Sequence, residues 1–158
     1  MVTHNMRILV VSDSHGRVGP IQDMVERYVP DAVFHLGDVV RDGAKLAELY
    51  PKLPFYRVAG NCDWSNPGLP LEDVARLDGK TIFYMHGHTQ NVKLGVGQAV
   101  RAAQGIQADV LLFGHTHRAI QEEYDGLLAV NPGAAQDGHG ALLTWEKGGA
   151  VTCIPLSL

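Results

Sequence analysis

The stretch that decides the fold of this chain is Val110-Leu111-Leu112-Phe113-Gly114-His115-Thr116-His117. Four apolar residues followed by a glycine are typical of a buried strand that ends in a tight turn. The two histidines stand two positions apart on that turn, so their imidazoles can point the same way. Imidazole is a ligand that suits zinc, copper, iron and nickel. The stretch therefore indicates a pair of metal ligands at the end of a sheet strand.

Four other segments repeat this arrangement, in which polar residues and a glycine follow a short apolar run. They are 7–11 followed by Asp13 and His15, 32–36 followed by Asp38, 55–59 followed by Asn61, and 81–85 followed by His86 and His88. In open α/β sheets, sites form in the crevice outside the carboxyl ends of the strands. The five segments together predict one shared site.

Strands and helices alternate early in the sequence, and hairpins follow later. Apolar residues at helical spacing predict helices over 21–28, 44–49 and 92–104. Hairpins are expected over 120–130, around an Asp-Gly turn, and over 141–154. This order predicts an α/β fold with two facing mixed sheets and outer helices. We expect a single domain over 1–158, because the sequence contains no linker or internal repeat.

The composition excludes some partners. Hydrophobic residues make up 46% of the chain, charged residues 19%, and the net charge is −4 without a basic run. A surface for duplex nucleic acid needs clustered Lys and Arg, so none is expected. No apolar stretch approaches the roughly 18 residues of a membrane span, and residues 1–6 lack the apolar core of a signal peptide. Two cysteines, Cys62 and Cys153, fit a reduced, cytoplasmic protein.

The motif order D-x-H, G-D, G-N, H-G-H and G-H-x-H resembles the calcineurin-like metallophosphoesterases. The resemblance covers Asp13 to about Pro132. The size and the Gly60-Asn61-Cys62-Asp63 variant resemble the small YfcE-type phosphodiesterases. The resemblance implies a four-layer αββα sandwich of two mixed β-sheets with flanking helices. It also places the turn Asn131-Pro132-Gly133 near the metals.

The resemblance further implies two divalent metal ions and a ligand set. Asp13, His15 and His117 would bind the first ion. Asn61, His86 and His115 would bind the second, and Asp38 would bridge the two. We expect manganese, with iron, nickel or zinc as alternatives, because mixed carboxylate, imidazole and amide ligands suit such ions. A hydroxide that bridges the ions would attack phosphorus in line, with Asp38, Asn61, His86 and His88 as the catalytic residues.

Ordinary structural roles remain open for several of these residues. His115 and His117 can be a solvated turn pair, and Asp38 can be a helix cap or turn residue. Asn61 can be a turn residue with a left-handed backbone. His88 can support the ligands, contact the substrate or have no role.

Three polar residues within the motifs are expected to be neither ligands nor nucleophiles. His35 lies inside an apolar run and is expected to be a packed histidine. Ser12 and Ser14 flank Asp13 and are expected to be turn hydroxyls.

Cys62 is a departure from the wider family. Many relatives have histidine at this position, where it helps to stabilise the transition state or to protonate the leaving group. A thiol is a weak hydrogen-bond donor and a poor substitute for an imidazolium. Substrates with good leaving groups should therefore be favoured. The alternative for Cys62 is a small packed residue.

The function expected from the resemblance is hydrolysis of small phosphate diesters by a metal-dependent phosphodiesterase. A phosphomonoesterase of the same fold is the runner-up. A non-enzymatic, protein-binding scaffold like the retromer subunit is a further alternative, but a scaffold does not need all seven ligands. The sequence leaves open the physiological substrate, the native metal, the oligomeric state and the true start, Met1 or Met6.

Overall fold

The structure is a computed structural model that describes residues 5–37, 40–60 and 69–158. The strands are β1 (Met6–Val11), β2 (Ala32–His35), β3 (Phe55–Arg57), β4 (Glu72–Leu77), β5 (Lys80–Met85), β6 (Val110–Leu112), β7 (Ile120–Tyr124), β8 (Leu127–Asn131), β9 (His139–Trp145) and β10 (Thr152–Ser157). The helices are α1 (Gly19–Tyr28), α2 (Val40–Leu49) and α3 (Gly97–Gly105). Short 3₁₀ turns lie at His88–Gln90, Val92–Leu94 and Ala135–Asp137.

The strands form two mixed sheets of five strands each. The first has the order β10-β9-β1-β2-β3, in which β1, β2 and β3 are parallel and β9 and β10 are antiparallel to their neighbours. The second has the order β4-β5-β6-β8-β7, with a parallel centre and antiparallel edge strands. The prediction of two mixed sheets is confirmed.

The side chains of β1 show how the layers are built. Ile8 and Val10 pack into the core between the sheets, whereas Leu9 and Val11 pack with Ile21 of α1 on the opposite face. Because successive strand residues point to opposite faces, a strand that is covered on both sides must be apolar throughout. This explains why the strands of the sequence motifs read as continuous apolar runs.

The second sheet is covered in the same way. In β5, Ile82 and Tyr84 face the core between the sheets, whereas Phe83 and Met85 pack against α3. The molecule is therefore an αββα sandwich, as expected from the resemblance. None of the helices within the described ranges is long and apolar enough to cross a membrane.

The helices differ from the sequence predictions at their boundaries. The structure begins α1 at Gly19 and α2 at Val40, in each case before the predicted start. The helix predicted over 92–104 is wrong as a single element. A 3₁₀ turn ends at Leu94, Gly95 has φ 138°, and α3 begins at Gly97. Gly95 interrupts the helix because this backbone conformation is open to glycine but strained for other residues.

The predicted hairpins are present. Strands β7 and β8 are antiparallel around Asp125-Gly126, where both residues have positive φ, as a two-residue hairpin turn requires. Strands β9 and β10 also pair antiparallel, with β10 displaced toward the C-terminus relative to the prediction.

Candidate metal centre

The carboxylate of Asp13 lies at the end of β1 and is completely buried. Its Oδ2 atom accepts a hydrogen bond from Ser12 Oγ at 2.7 Å and another from the backbone N–H of His115 at 3.2 Å. Two donors therefore fix the orientation of the carboxylate. This leaves Oδ1 directed toward the histidines.

Three imidazole nitrogens surround Asp13 Oδ1. The Nε2 atom of His117 lies 3.1 Å away, that of His15 3.8 Å away and that of His86 3.9 Å away. These side chains come from the ends of β1 and β5 and from the turn after β6. The structure thus brings residues from three distant parts of the sequence to one carboxylate oxygen.

Asp13, His15 and His117 form a compact group of possible ligands. Their ligand atoms all lie within 4.8 Å of one another. The Nε2 atom of His15 is buried and has no hydrogen-bond partner within the described ranges. Since nearly all buried polar atoms have a partner, this nitrogen fits a ligand whose partner is a metal ion.

His86 and His115 form a second pair beside the first group. The Nε2 atom of His86 lies 3.2 Å from the Nδ1 atom of His115. The Nδ1 atom of His86 lies 2.8 Å from the carbonyl oxygen of Leu36. A carbonyl can only accept, so this Nδ1 carries the proton. The neutral ring then presents an Nε2 lone pair to the site.

The backbone at these motifs adopts an uncommon conformation. Four non-glycine residues of the site have left-handed φ angles: 55° at Asp13, 45° at His15, 70° at His115 and 60° at His117. Such conformations cost on the order of 1–3 kcal/mol each and persist where the surrounding structure enforces them. Their concentration on four predicted ligands favours a functional role for the turns.

Gly114 allows the two sheets to meet at the site. A Cβ atom at this position would lie 2.2 Å from Ser12 Oγ and 2.9 Å from Asp13 Oδ2. The hydrogen bond from the His115 N–H to Asp13 depends on this close approach. The glycine of the motif is thus required by packing.

A buried hydrogen-bond relay supports the Asp13–His15 turn from behind. Ser14 Oγ donates to Asp42 Oδ2 at 2.5 Å, and the N–H of Gly16 donates to the same oxygen at 2.7 Å. The Nε2 atom of His35 lies 3.0 Å from Ser14 Oγ, and the N–H of Gly37 donates to His35 Nδ1 at 3.2 Å. His35 Nε2 therefore carries the proton and donates to Ser14.

This relay was only partly visible in the sequence. His35 is buried and hydrogen-bonded away from the ligand group, in agreement with the expectation of a packed histidine. Ser12 and Ser14 were expected to be turn hydroxyls, and the structure adds that both are buried and that each donates to a carboxylate. The role of Asp42 was not predicted from the sequence. The feature that could have indicated it is its position as an acidic residue in the first turn of a helix.

Asn131 holds the turn after β6. Its Nδ2 atom donates to the carbonyl oxygen of Gly114 at 3.1 Å and to Thr116 Oγ1 at 3.0 Å. Its Oδ1 atom accepts from the N–H of Gly133 at 2.9 Å. The turn at 131–133 thus contacts the turn after β6 that carries His115 and His117, as the resemblance implied.

Three predicted site residues, Asp38, Asn61 and Cys62, lie outside the described residues, and their roles stay predictions. Gly37 and Gly60, which precede Asp38 and Asn61, lie close together. A Cβ atom on Gly37 would lie 2.6 Å from the backbone nitrogen of Gly60.

His88 is described and lies beside the second histidine pair. Its ring centroid is 5.6 Å from that of His86 and 6.3 Å from that of His115. It begins the 3₁₀ turn His88–Gln90 and is half-buried. This position is compatible with support of the ligands or with substrate contact, and its role stays a prediction.

Comparison with known proteins agrees with this arrangement. Residues 6–145 match the family model of the calcineurin-like phosphoesterase superfamily domain. The chain is 33% identical over 132 residues to the probable metallophosphoesterase YsnB of Bacillus subtilis. This alignment covers 82% of this chain and 75% of the relative. It is 29% identical over 146 residues to the phosphodiesterase MJ0936 of Methanocaldococcus jannaschii, which covers 81% and 83% of the two chains.

Solved structures share the fold. A conserved protein of Streptococcus pneumoniae, described as a predicted phosphoesterase, superposes with a TM-score of 0.76 at 26% identity over 99% of this chain and 100% of the other. Vacuolar protein sorting 29 of Cryptosporidium parvum superposes with a TM-score of 0.75 at 19% identity, over 98% and 99% of the two chains. At that identity the second likeness concerns the fold alone.

Proposed function

The chain belongs to the calcineurin-like phosphoesterase superfamily, and from that premise we propose that it is a metal-dependent phosphodiesterase that hydrolyses small phosphate diesters. The observation that carries the proposal is the position of Asp13 Oδ1, which lies within 4 Å of imidazole nitrogens from His15, His86 and His117. We also propose that the chain acts as a single domain over 1–158 in a reduced, cytoplasmic setting.

The donor set fits two divalent ions. Asp13, His15 and His117 would hold the first, and His86 and His115, with Asn61, would hold the second. Asp38 would bridge them. Manganese is the proposed metal, with iron, nickel or zinc as alternatives. When bound, such a pair supplies a water molecule of lowered pKa and positive charge beside the phosphoryl oxygens.

The protein prepares these ligands through its own hydrogen bonds. The donors on Asp13 Oδ2 leave Oδ1 available to the site. The carbonyl of Leu36 favours the His86 tautomer that carries its proton on Nδ1 and directs Nε2 toward the site. The Ser14–Asp42 hydrogen bond anchors the turn between Asp13 and His15.

The structure supports direct attack by water without a phosphoenzyme. Ser12 and Ser14 are completely buried, and both hydroxyl protons are donated to carboxylates. Neither oxygen can reach a substrate without breaking the support of the Asp13 turn. These contacts support the proposal that water attacks phosphorus in line with the leaving oxygen.

A protein-binding scaffold is a second candidate, favoured by the fold likeness to vacuolar protein sorting 29. A metal-dependent enzyme needs its complete set of ligands, whereas a protein-binding scaffold can lose them. A scaffold does not need a buried carboxylate held by two donors and faced by three imidazoles, so we place the phosphodiesterase first.

The test is hydrolysis of bis-p-nitrophenyl phosphate and p-nitrophenyl phosphate by metal-stripped protein after addition of Mn²⁺, Fe²⁺, Ni²⁺ or Zn²⁺. The proposal predicts metal-dependent turnover with higher kcat/KM for the diester. A higher value for the monoester would favour the monoesterase. No turnover with any of the four metals would contradict the enzymatic function.

A further inference from the structure

A cavity of about 460 Å³ is lined by residues that adjoin two of the predicted ligand loops. One wall is the segment 92–96, which includes the 3₁₀ turn Val92–Leu94. The other wall is formed by Thr116, Arg118 and Ile120, at the start of β7. Both walls are short connections next to predicted ligands.

The first wall is attached to the loop that carries His86 and His88. Val92 is buried against Gly87, where a Cβ atom would lie 2.5 Å from Val92 Cγ2. The N–H of Val92 also donates to the carbonyl oxygen of Gly87 at 3.3 Å. The first cavity wall is therefore packed directly against the loop that carries His86 and His88.

The second wall is continuous with the ligand turn after β6. Thr116 stands between His115 and His117, and its Oγ1 atom accepts a hydrogen bond from Asn131. The same oxygen lies 3.3 Å from the donating N–H of Arg118. The cavity wall at Thr116 is therefore directly adjacent in sequence to two predicted ligands.

The cavity has two cationic side chains, Lys93 and Arg118, and no acidic residue in its lining. Both are exposed, and neither side chain makes a hydrogen bond or ion pair with any residue in the described ranges. This local charge differs in sign from the net charge of −4 of the whole chain. Unpaired Lys and Arg side chains are suited to bind phosphate.

The remaining lining is mostly apolar. Val92, Leu94, Val96 and Ile120 contribute hydrocarbon surface to the cavity. Leu94 is 91% exposed, so its side chain is accessible to a ligand. The cavity thus offers an apolar surface next to positive charge.

We propose that this cavity holds one ester arm of the substrate and that Lys93 and Arg118 bind a terminal phosphate on that arm. The inference rests on the proposed function and specifies its substrate class: phosphodiesters in which one arm ends in a phosphomonoester. The apolar residues pack against the body of the arm. Two cations match the charge of one phosphate dianion better than that of a neutral or cationic arm.

The test uses two diesters with the same leaving group, p-nitrophenyl propyl phosphate and p-nitrophenyl 3-phosphopropyl phosphate. The measured quantity is the ratio of their kcat/KM values with remetallated protein. Since exposed charge pairs each contribute modestly, we expect the wild-type ratio to favour the phosphate-bearing diester by about tenfold. The ratio should fall with added salt, because salt screens exposed charges.

The informative variant is the double substitution Lys93→Gln with Arg118→Gln, in which the ratio should fall to about one. The matched control is Lys52→Gln with Lys147→Gln, which also removes two exposed positive charges but lies outside the cavity; its ratio should equal that of wild type. A wild-type ratio of one, or a preference that survives in the Lys93/Arg118 variant, would overturn the inference.

A binding measurement separates failure of the inference from failure of the proposed function. Calorimetry with propane-1,3-diyl bisphosphate and propyl phosphate in the presence of Mn²⁺ needs no turnover. If neither diester is hydrolysed but the bisphosphate binds about tenfold tighter to wild type than to the Lys93/Arg118 variant, the cavity assignment stands and the enzymatic function fails. Equal binding of the bisphosphate to both proteins would overturn the cavity assignment.

Discussion

The Nε2 atom of His86 and the Nδ1 atom of His115 face each other at 3.2 Å across the ends of the neighbouring strands β5 and β6. Because His86 Nδ1 donates to the carbonyl of Leu36, the facing Nε2 offers a lone pair. Two imidazole nitrogens on one zinc ion, each at about 2.0–2.1 Å, can be no more than about 4.2 Å apart. The observed separation therefore fits two ligands of one ion.

This geometry leads to a prediction for the histidines around the second proposed ion. His86→Ala should lower the metal content of remetallated protein from two ions per chain to about one, because a ligand is lost. His88→Ala should retain two ions, because His88 is not a proposed ligand. Metal analysis of both variants is the measurement. Equal loss in the two variants would assign His88 to the ligand set.

Gly114→Ala should disrupt the site without a change of any ligand. The added methyl group would collide with Ser12 Oγ and approach Asp13 Oδ2, so the sheets must separate or the carboxylate must turn. We expect metal affinity to fall at least tenfold, a loss of about 1.4 kcal/mol or more. Gly105→Ala is the control, since a Cβ atom there meets nothing within 4 Å. Unchanged metal affinity in Gly114→Ala would show that the close approach is not needed.

Asp42→Asn tests the relay behind the ligands. The carboxylate accepts from both Ser14 and Gly16, and weaker acceptance by an amide should cost about 1–3 kcal/mol of stability. Supporting hydrogen bonds around metal sites typically affect metal affinity by about 10–100-fold, and we expect a loss in that range. Denaturant unfolding and metal titration are the measurements. The exposed Asp137 provides the control substitution Asp137→Asn. A variant that loses stability but keeps full metal affinity would show that these hydrogen bonds stabilise the fold and do not contribute to metal binding.

Because Cys62 replaces a histidine, we expect kcat/KM to depend strongly on the leaving group of the substrate. A nitrophenolate departs without a proton, whereas an alkoxide needs one, and general acid catalysis is typically worth about 10²–10⁴-fold. We expect good turnover of bis-p-nitrophenyl phosphate and poor turnover of alkyl diesters. Cys62→His should improve alkyl diesters more than aryl diesters, and Cys62→Ala should change aryl diester hydrolysis little. The measurement is kcat/KM for both substrate types. Equal wild-type rates for both, or an inactive Cys62→Ala that still binds metal, would give the thiol a catalytic role.

The motifs allowed much of the fold and the described ligand group to be predicted, because each ligand directly follows a strand. The ends of neighbouring parallel strands lie at one edge of a sheet, which accounts for His86 beside His115 after β5 and β6. Asp13 follows β1 of the other sheet, so its place beside them was implied by the resemblance. The Ser14–Asp42 contact could not be predicted in this way. It joins residues 28 positions apart through a helix start, and no local pattern records that packing.

Two features of the fold were also hidden in the sequence. The strand β4 has only Ala75 buried, so it lacks the apolar run that identified the other strands. The helix predicted from 92 onward has apolar residues at helical spacing, but the backbone at Gly95 cannot continue a helix. The first feature is hidden because strand pairing with β5, not an apolar run, defines β4. The second is hidden because the hydrophobic pattern does not record the backbone conformation at Gly95.

The most direct test of the account is a titration of metal-stripped protein with Mn²⁺, in which bound metal and hydrolysis of bis-p-nitrophenyl phosphate are followed together. We expect no hydrolysis without metal and a rate that reaches its plateau at two bound ions per chain. Hydrolysis by metal-free protein, a plateau at one ion, or no hydrolysis at saturation would contradict it.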